Sequence, residues 1–193
     1  MKSPLRNAAV AMAFDAFLIA MVIGLLPVPA RSEAGSSILP RRPAAMPVYG
    51  YKVIRAYPHD RQAFTQGLIW CDGLFYEGTG LNGSSSLRKV SPETGRVIDR
   101  HLLDQRHFGE GITAWEDRLL QLTWKSNLGF IYDRSTLKPR GTFTYPGEGW
   151  GLTHDRRRLI MSDGSSILRL LDPRSFREVG RLKVKSGGEP VTG

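Results

Sequence analysis

A turn-and-strand signature returns along this chain about every 40 residues, and that period restricts the fold more than any compositional feature. Tyr132-Asp133-Arg134-Ser135-Thr136-Leu137 recurs as Leu171-Asp172-Pro173-Arg174-Ser175-Phe176, and more loosely upstream as Val90-Ser91-Pro92-Glu93-Thr94-Gly95. Ser91 and Asp133 are 42 residues apart, Asp133 and Asp172 39. A second signature keeps step with the first: Gln66-Gly67-Leu68, Glu110-Gly111-Ile112 and Trp150-Gly151-Leu152, with glycines 44 and 40 residues apart. Two unrelated marks sharing one period indicate a supersecondary unit used several times. For strand-rich units of this length, that unit is a propeller blade.

Each unit reads as four short strands broken by turn residues. The first runs Gly67–Trp70, Leu74–Glu77, Ser86–Val90 and Val97–Leu103. The second runs Ile112–Trp115, Leu119–Trp124, Gly129–Asp133 and Gly141–Tyr145. The third runs Leu152-Thr153, Leu159–Ser162, Ile167–Asp172 and Glu178–Val184. Turns every 8 to 12 positions suit antiparallel meanders, and no helix-period apolar stretch follows residue 30. The expected fold is therefore all-β, a propeller of four-stranded antiparallel blades. Tyr51–Tyr57, rich in β-branched and aromatic residues, is expected to add a ring-closing strand.

Residues 1–30 have the layout of a secretory signal: basic Lys2 and Arg6, an apolar core over Ala16–Leu26, and a small-residue cut after Val28-Pro29-Ala30. A second cut lies at Ser32-Glu33-Ala34, and an uncleaved anchor over Ala8–Leu26 is the competing reading. Residues 31–48 read as a flexible Pro/Ser/Arg/Ala-rich linker and 49–193 as one partial propeller domain. The expected location is exported, periplasmic or secreted, with no stable membrane contact after cleavage. The net charge of +9 falls to +8 once Lys2, Arg6 and Asp15 are removed. The basic residues are scattered, which suits a solvated surface and argues against a nucleic-acid partner. A single cysteine, Cys71, precludes an internal disulfide.

Blade openings collect around one mouth. The glycine signature brings Phe64, Gln66, Glu110 and Trp150 there, and the ends of the second strands add Glu77, Trp124 and Asp163. Two indoles, three carboxylates and an amide are an unusual set for structural loops. Gly-flanked polar residues in such loops also commonly bind backbone groups, so the spacing alone leaves both readings open. Among the four histidines only His107 shares an i, i+3 spacing with a carboxylate, Glu110, and such ligand pairs usually sit on helices. No metal is expected.

Together these segments resemble a known family. Phe64-Thr65-Gln66-Gly67-Leu68, Leu74-Phe75-Tyr76-Glu77-Gly78-Thr79-Gly80, Phe108-Gly109-Glu110-Gly111 and Trp124-Lys125-Ser126-Asn127 look like glutamine cyclotransferases of the plant and bacterial type. So do Gly149-Trp150-Gly151-Leu152 and Ser162-Asp163-Gly164-Ser165, and the likeness covers about Tyr51 to Lys185 in order. The resemblance implies a five-bladed propeller that closes N-terminal glutaminyl residues of peptides to pyroglutamate, releasing ammonia without a cofactor. It implies Glu77 as the catalytic acid/base, its acidity weakened by desolvation between Trp124, Trp150 and the Phe75/Tyr76 pair. Gln66 and Asp163 would hold the amide and the amine, Glu110 would orient neighbours, Phe64 would belong to the substrate pocket, and the indoles would exclude water. Three blades of an expected five would leave two apolar faces open. At roughly 500 Å² each and about 25 cal/mol per Å², each face forfeits on the order of 12 kcal/mol. The 193-residue chain is accordingly expected to self-associate through open edges and to lack measurable cyclisation. The alternative is a non-catalytic periplasmic module that binds peptide N-termini.

Overall fold

The computed structural model describes residues 48–191. The expected signal and nearly all of the expected linker lie outside the described residues. Three four-stranded antiparallel sheets follow one another along the chain. The first comprises β1 (Thr65–Cys71), β2 (Leu74–Thr79), β3 (Ser86–Val90) and β4 (Val97–Leu102). The second comprises β5 (Gly109–Trp115), β6 (Arg118–Thr123), β7 (Leu128–Asp133) and β8 (Pro139–Thr144). The third comprises β9 (Leu152–His154), β10 (Leu159–Met161), β11 (Ile167–Leu171) and β12 (Glu178–Lys183). Each is a simple meander, so the fold is an all-β propeller with three blades described. A small hairpin that the sequence did not signal, β13 (Lys185–Ser186) with β14 (Glu189–Pro190), turns at Gly187 and Gly188.

The expected leading strand is corrected. Residues 51–57 carry no ladder, and Tyr51, Val53 and Ile54 are exposed. Their composition is strand-competent, but a strand exists only where a neighbour takes up its hydrogen bonds, and none does so among the described residues.

The recurring signature marks the turn between the third and fourth strands of each sheet. Asp133 Oδ1 accepts the backbone N–H groups of Ser135 and Thr136 at 3.0 and 2.9 Å, and Asp172 Oδ1 accepts those of Arg174 and Ser175 at 3.1 and 2.7 Å. The last residue of the signature is left-handed every time: Gly95 at φ 66°, Leu137 at 52° and Phe176 at 56°. Glycine adopts that region freely. Leu137 and Phe176 offset its cost by burial, Leu137 in the core and Phe176 stacked on Phe143 at 4.1 Å.

The second sheet is covered on both sides, which explains the nearly continuous apolar run of β6. Leu119 packs with Tyr76, Leu87, Ile112 and Tyr132 toward the first sheet. Leu120 and Leu122 pack with Phe143, Leu152, Leu159 and Met161 toward the third. Gln121, fully buried between them, donates to the Ser86 carbonyl and accepts from Tyr132 Oη, both at 3.3 Å. Leu68 and Trp70 on β1, and Val179 and Leu182 on β12, stay exposed.

Where β1, β5 and β9 meet, the sheets touch backbone to backbone. A Cβ on Gly67 would lie 2.6 Å from the Ile112 nitrogen and 3.1 Å from Gly111 Cα. At Gly111 it would lie 2.4 Å from the Trp150 carbonyl and 2.7 Å from the Leu152 nitrogen. The Gly111 N–H donates to that same Trp150 carbonyl at 2.8 Å. Because the obstructing atoms are backbone, Gly111→Ala must push the second and third sheets apart. It is expected to cost about 1–3 kcal/mol, read as a lower urea midpoint with an unchanged slope.

Candidate active site

Two strand openings are irregular at the same place. The β1–β2 ladder pairs Thr65 with Thr79 and Gly67 with Gly78, leaving Gln66 out of register. The β5–β6 ladder pairs Gly109 with Thr123 and then resumes at Ile112 with Gln121, so Glu110 falls inside the bulge. Bulges of this kind re-aim a side chain out of the alternating pattern. Trp150, the corresponding residue of the third sheet, sits just before β9, its N–H on the Ser162 carbonyl at 3.0 Å.

These positions converge on a cavity of about 410 Å³ lined by Phe64, Gln66, Phe108, Glu110, Trp124 and Trp150. Gln66 Nε2 donates to Glu110 Oε1 at 3.0 Å. Phe108 stands edge-on to both Phe64 and Trp124, with centroids 6.0 and 5.7 Å apart. Gly80 seats Phe108, and Gly164 at φ 80° seats the Trp150 indole; a Cβ at either would overlap the ring. Phe108 stood in the sequence beside Glu110 without being assigned to the site. Glu148 was also missed, because the repeat places it where the first two sheets carry Phe64 and Phe108, and a carboxylate there breaks the aromatic pattern. Its Oε2 accepts both indole N–H groups, Trp124 at 2.6 Å and Trp150 at 2.9 Å.

Glu110 is 8 % exposed. Burial pushes its carboxyl up to about 7, against the opposing Gln66 hydrogen bond and with a smaller contribution from the negative charge of Glu148. The neighbouring charged groups are Glu148 and Lys125, whose Nζ lies 3.8 Å from Glu148 Oε1, with the phenol of Tyr145 close enough to feel the Glu110 charge. A carboxyl with this acidity can take up and return a proton near neutral pH.

Glu77 does not belong to this cavity, and its expected place between the two indoles is corrected. Strand side chains alternate between faces. Since Gly78 faces the second sheet, Glu77 projects from the other side of β2, opposite Leu68 in the ladder. There it is 1 % exposed, accepts the Thr65 hydroxyl at 2.5 Å, and lies 2.8 Å from His59 Nε2 and 3.9 Å from Arg88 Nη1. It borders a separate cavity of about 240 Å³ with Tyr57, Pro58, His59, Leu68, Phe75 and Val90. These contacts tie the segment that carries His59 to the sheet. Asp163 does not line the indole cavity either. It accepts the Ser165 N–H at 3.1 Å and the Ser165 hydroxyl at 2.6 Å, holding the turn whose Gly164 backs Trp150. Among the described residues no group of three or more His, Cys, Asp or Glu side chains gathers as metal ligands would.

A sequence profile described as glutamine cyclotransferase matches residues 19–193. The chain belongs to the glutamine cyclotransferase family. A glutaminyl-peptide cyclotransferase of Arabidopsis thaliana is 39 % identical over 142 residues, which is 72 % of this chain and 44 % of that protein. The crystal structure of Myxococcus xanthus glutaminyl cyclase superposes with a TM-score of 0.67 at 37 % identity, over 73 % of this chain and 60 % of that one. The chain thus spans less than two thirds of either relative. The WD40 domain of Neurospora crassa Pan2, 11 % identical with a TM-score of 0.52 over 62 % of this chain and 36 % of that one, shares the propeller fold alone.

The Glu110 carboxyl resonance is expected to titrate with a midpoint of about 7. Gln66→Leu, which removes a donor to the ionised form, should move that midpoint up. A raised carboxyl favours the folded state while protonated, so its contribution is complete below about 4.5 and declines as pH rises through about 7. Denaturation across that window should therefore show a fall in stability that Glu110→Gln flattens.

Proposed function

We propose that the cavity around Glu110 converts the N-terminal glutaminyl residue of a peptide to pyroglutamate with release of ammonia. The observation that carries this reading is the buried Glu110 carboxyl, bonded to the Gln66 amide and walled by two indoles. The neutral α-amine attacks the γ-carboxamide carbon, forming the ring C–N bond. Glu110, as carboxylate, takes the proton from the attacking nitrogen and passes it to the departing one; the old C–N bond then breaks and ammonia leaves. No proton is gained or lost overall. Gln66 is placed to hold the substrate amide beside Glu110, and Phe64, Phe108, Trp124 and Trp150 exclude water. Ring closure is intramolecular, so holding amine and carbonyl in contact supplies much of the acceleration.

All six lining residues belong to the described part of this chain, so the reading is testable on it. Ammonia release from a Gln-initiated peptide is therefore expected, in place of the inactivity inferred from the blade count, because the six lining residues are all present; Glu110→Gln should lower it by about 10²–10⁴-fold. Because both the base form of Glu110 and the neutral amine, with a reference pKa of about 7.7–8.0, are required, the rate should rise between pH 6 and pH 8. Peptide binding without ammonia release, in folded protein, would favour the non-catalytic binding module instead.

We infer export from the layout of residues 1–30. N-terminal sequencing of protein recovered outside the cytoplasm should begin at Arg31 or Gly35; an intact Met1 in a membrane fraction would count for an anchor.

A further inference from the structure

Trp124 and Trp150 come from different sheets, one at the end of β6 and the other just before β9. Gly164 seats the Trp150 indole and Phe108 stands edge-on to that of Trp124. The loops themselves are already tied, since the Gly149 N–H donates to the Trp124 carbonyl at 2.9 Å. The ring orientations are a separate matter, and one side chain joins them. Glu148 Oε2 receives both indole N–H groups. Lys125, 3.8 Å from the other oxygen of the same carboxylate, also lies 3.9 Å from the Trp124 ring centroid. The four groups form a closed set: carboxylate to both indoles, ammonium to carboxylate, ammonium over ring.

We propose that Glu148 is a positioning residue of this site, its single oxygen holding the two indoles as walls of the cavity around Glu110. Its role in catalysis rests on the cyclisation reading; its hold on the rings does not. Three features of the surroundings support it. The bonds from Trp150 and Trp124 keep Glu148 below the ordinary carboxylate range, so it stays charged at neutral pH. Indole nitrogens are donors only, and both here are spent on Glu148, which leaves the rings to act on substrate through their faces. The negative charge of Glu148 also opposes ionisation of Glu110, linking the wall clamp to the reacting carboxyl.

Two conservative variants separate the clamp from the charge. Glu148→Asp keeps the charge but is one methylene shorter and cannot span both nitrogens. Glu148→Gln keeps length and one acceptor oxygen but loses the charge. In indole N–H spectra of the folded chain, Glu148→Asp should shift at least one of the Trp124 and Trp150 signals and speed its exchange with solvent, while the Trp70 and Trp115 signals stay put. Glu148→Gln should largely keep those signals yet move the Glu110 titration midpoint down. Affinity for a Gln-initiated peptide should fall about tenfold in Glu148→Asp, the size expected for losing one hydrogen bond to a charged group. Unchanged indole signals in Glu148→Asp would overturn the clamp, and an unmoved Glu110 midpoint in Glu148→Gln would overturn the link to the reacting carboxyl. Neither readout requires turnover. A silent ammonia assay with the expected spectra would therefore count against cyclisation and leave the clamp standing.

Discussion

The bare contact between neighbouring inner strands governs the rest of the molecule. Gly67 lies against the Ile112 nitrogen, and Gly111 lies against the Trp150 carbonyl and the Leu152 nitrogen. Further out, the same sheets are held apart by Leu, Tyr, Phe and Met. Narrow at one edge and wide at the other, each interface is a wedge, and successive wedges fan the sheets around a common line. A side chain at Gly111 would make that interface more nearly uniform in width. The sheets would then stack instead of fanning, and the cavity formed by their openings would not assemble.

The chemistry of the site follows from the same edge. In a regular ladder Gln66 would share a face with Leu68, and Glu110 one with Ile112. The two register breaks release them toward the mouth, where aromatic rings take the place of water. Desolvation then weakens the acidity of Glu110 far more than the Gln66 bond can restore it. Glu77, also buried, keeps different company. Thr65, His59 and Arg88 surround it, and its burial serves attachment of the chain segment above it.

Much of this was legible in the amino-acid order. The Asp-centred turns and the spaced glycines gave the period, the blade boundaries and the positions of Phe64, Gln66, Glu110, Trp124 and Trp150. What could not be read was strand parity at Glu77. Whether residue 77 or residue 78 faces the neighbouring sheet depends on which of them the close approach leaves bare, and that approach is a property of the assembled sheets. Glu148 escaped notice for a different reason: it takes the repeat position held by Phe64 and Phe108, and its indole partners meet only once two sheets are in place. Tyr51–Tyr57 failed because β-propensity describes a side-chain surface and says nothing about whether a neighbour will pair with it.

The bulge positions of the first two sheets and the matching residue of the third carry an amide, a carboxyl and an indole on nearly the same backbone. None of the three is needed to keep its strand paired, since each stands outside the ladder. Mutation at these places can therefore explore new chemistry without breaking the hydrogen bonds of the ladder. A propeller mouth built in this way is a set of interchangeable sockets, and descendants of one blade can diverge in reactivity without first surviving a loss of fold.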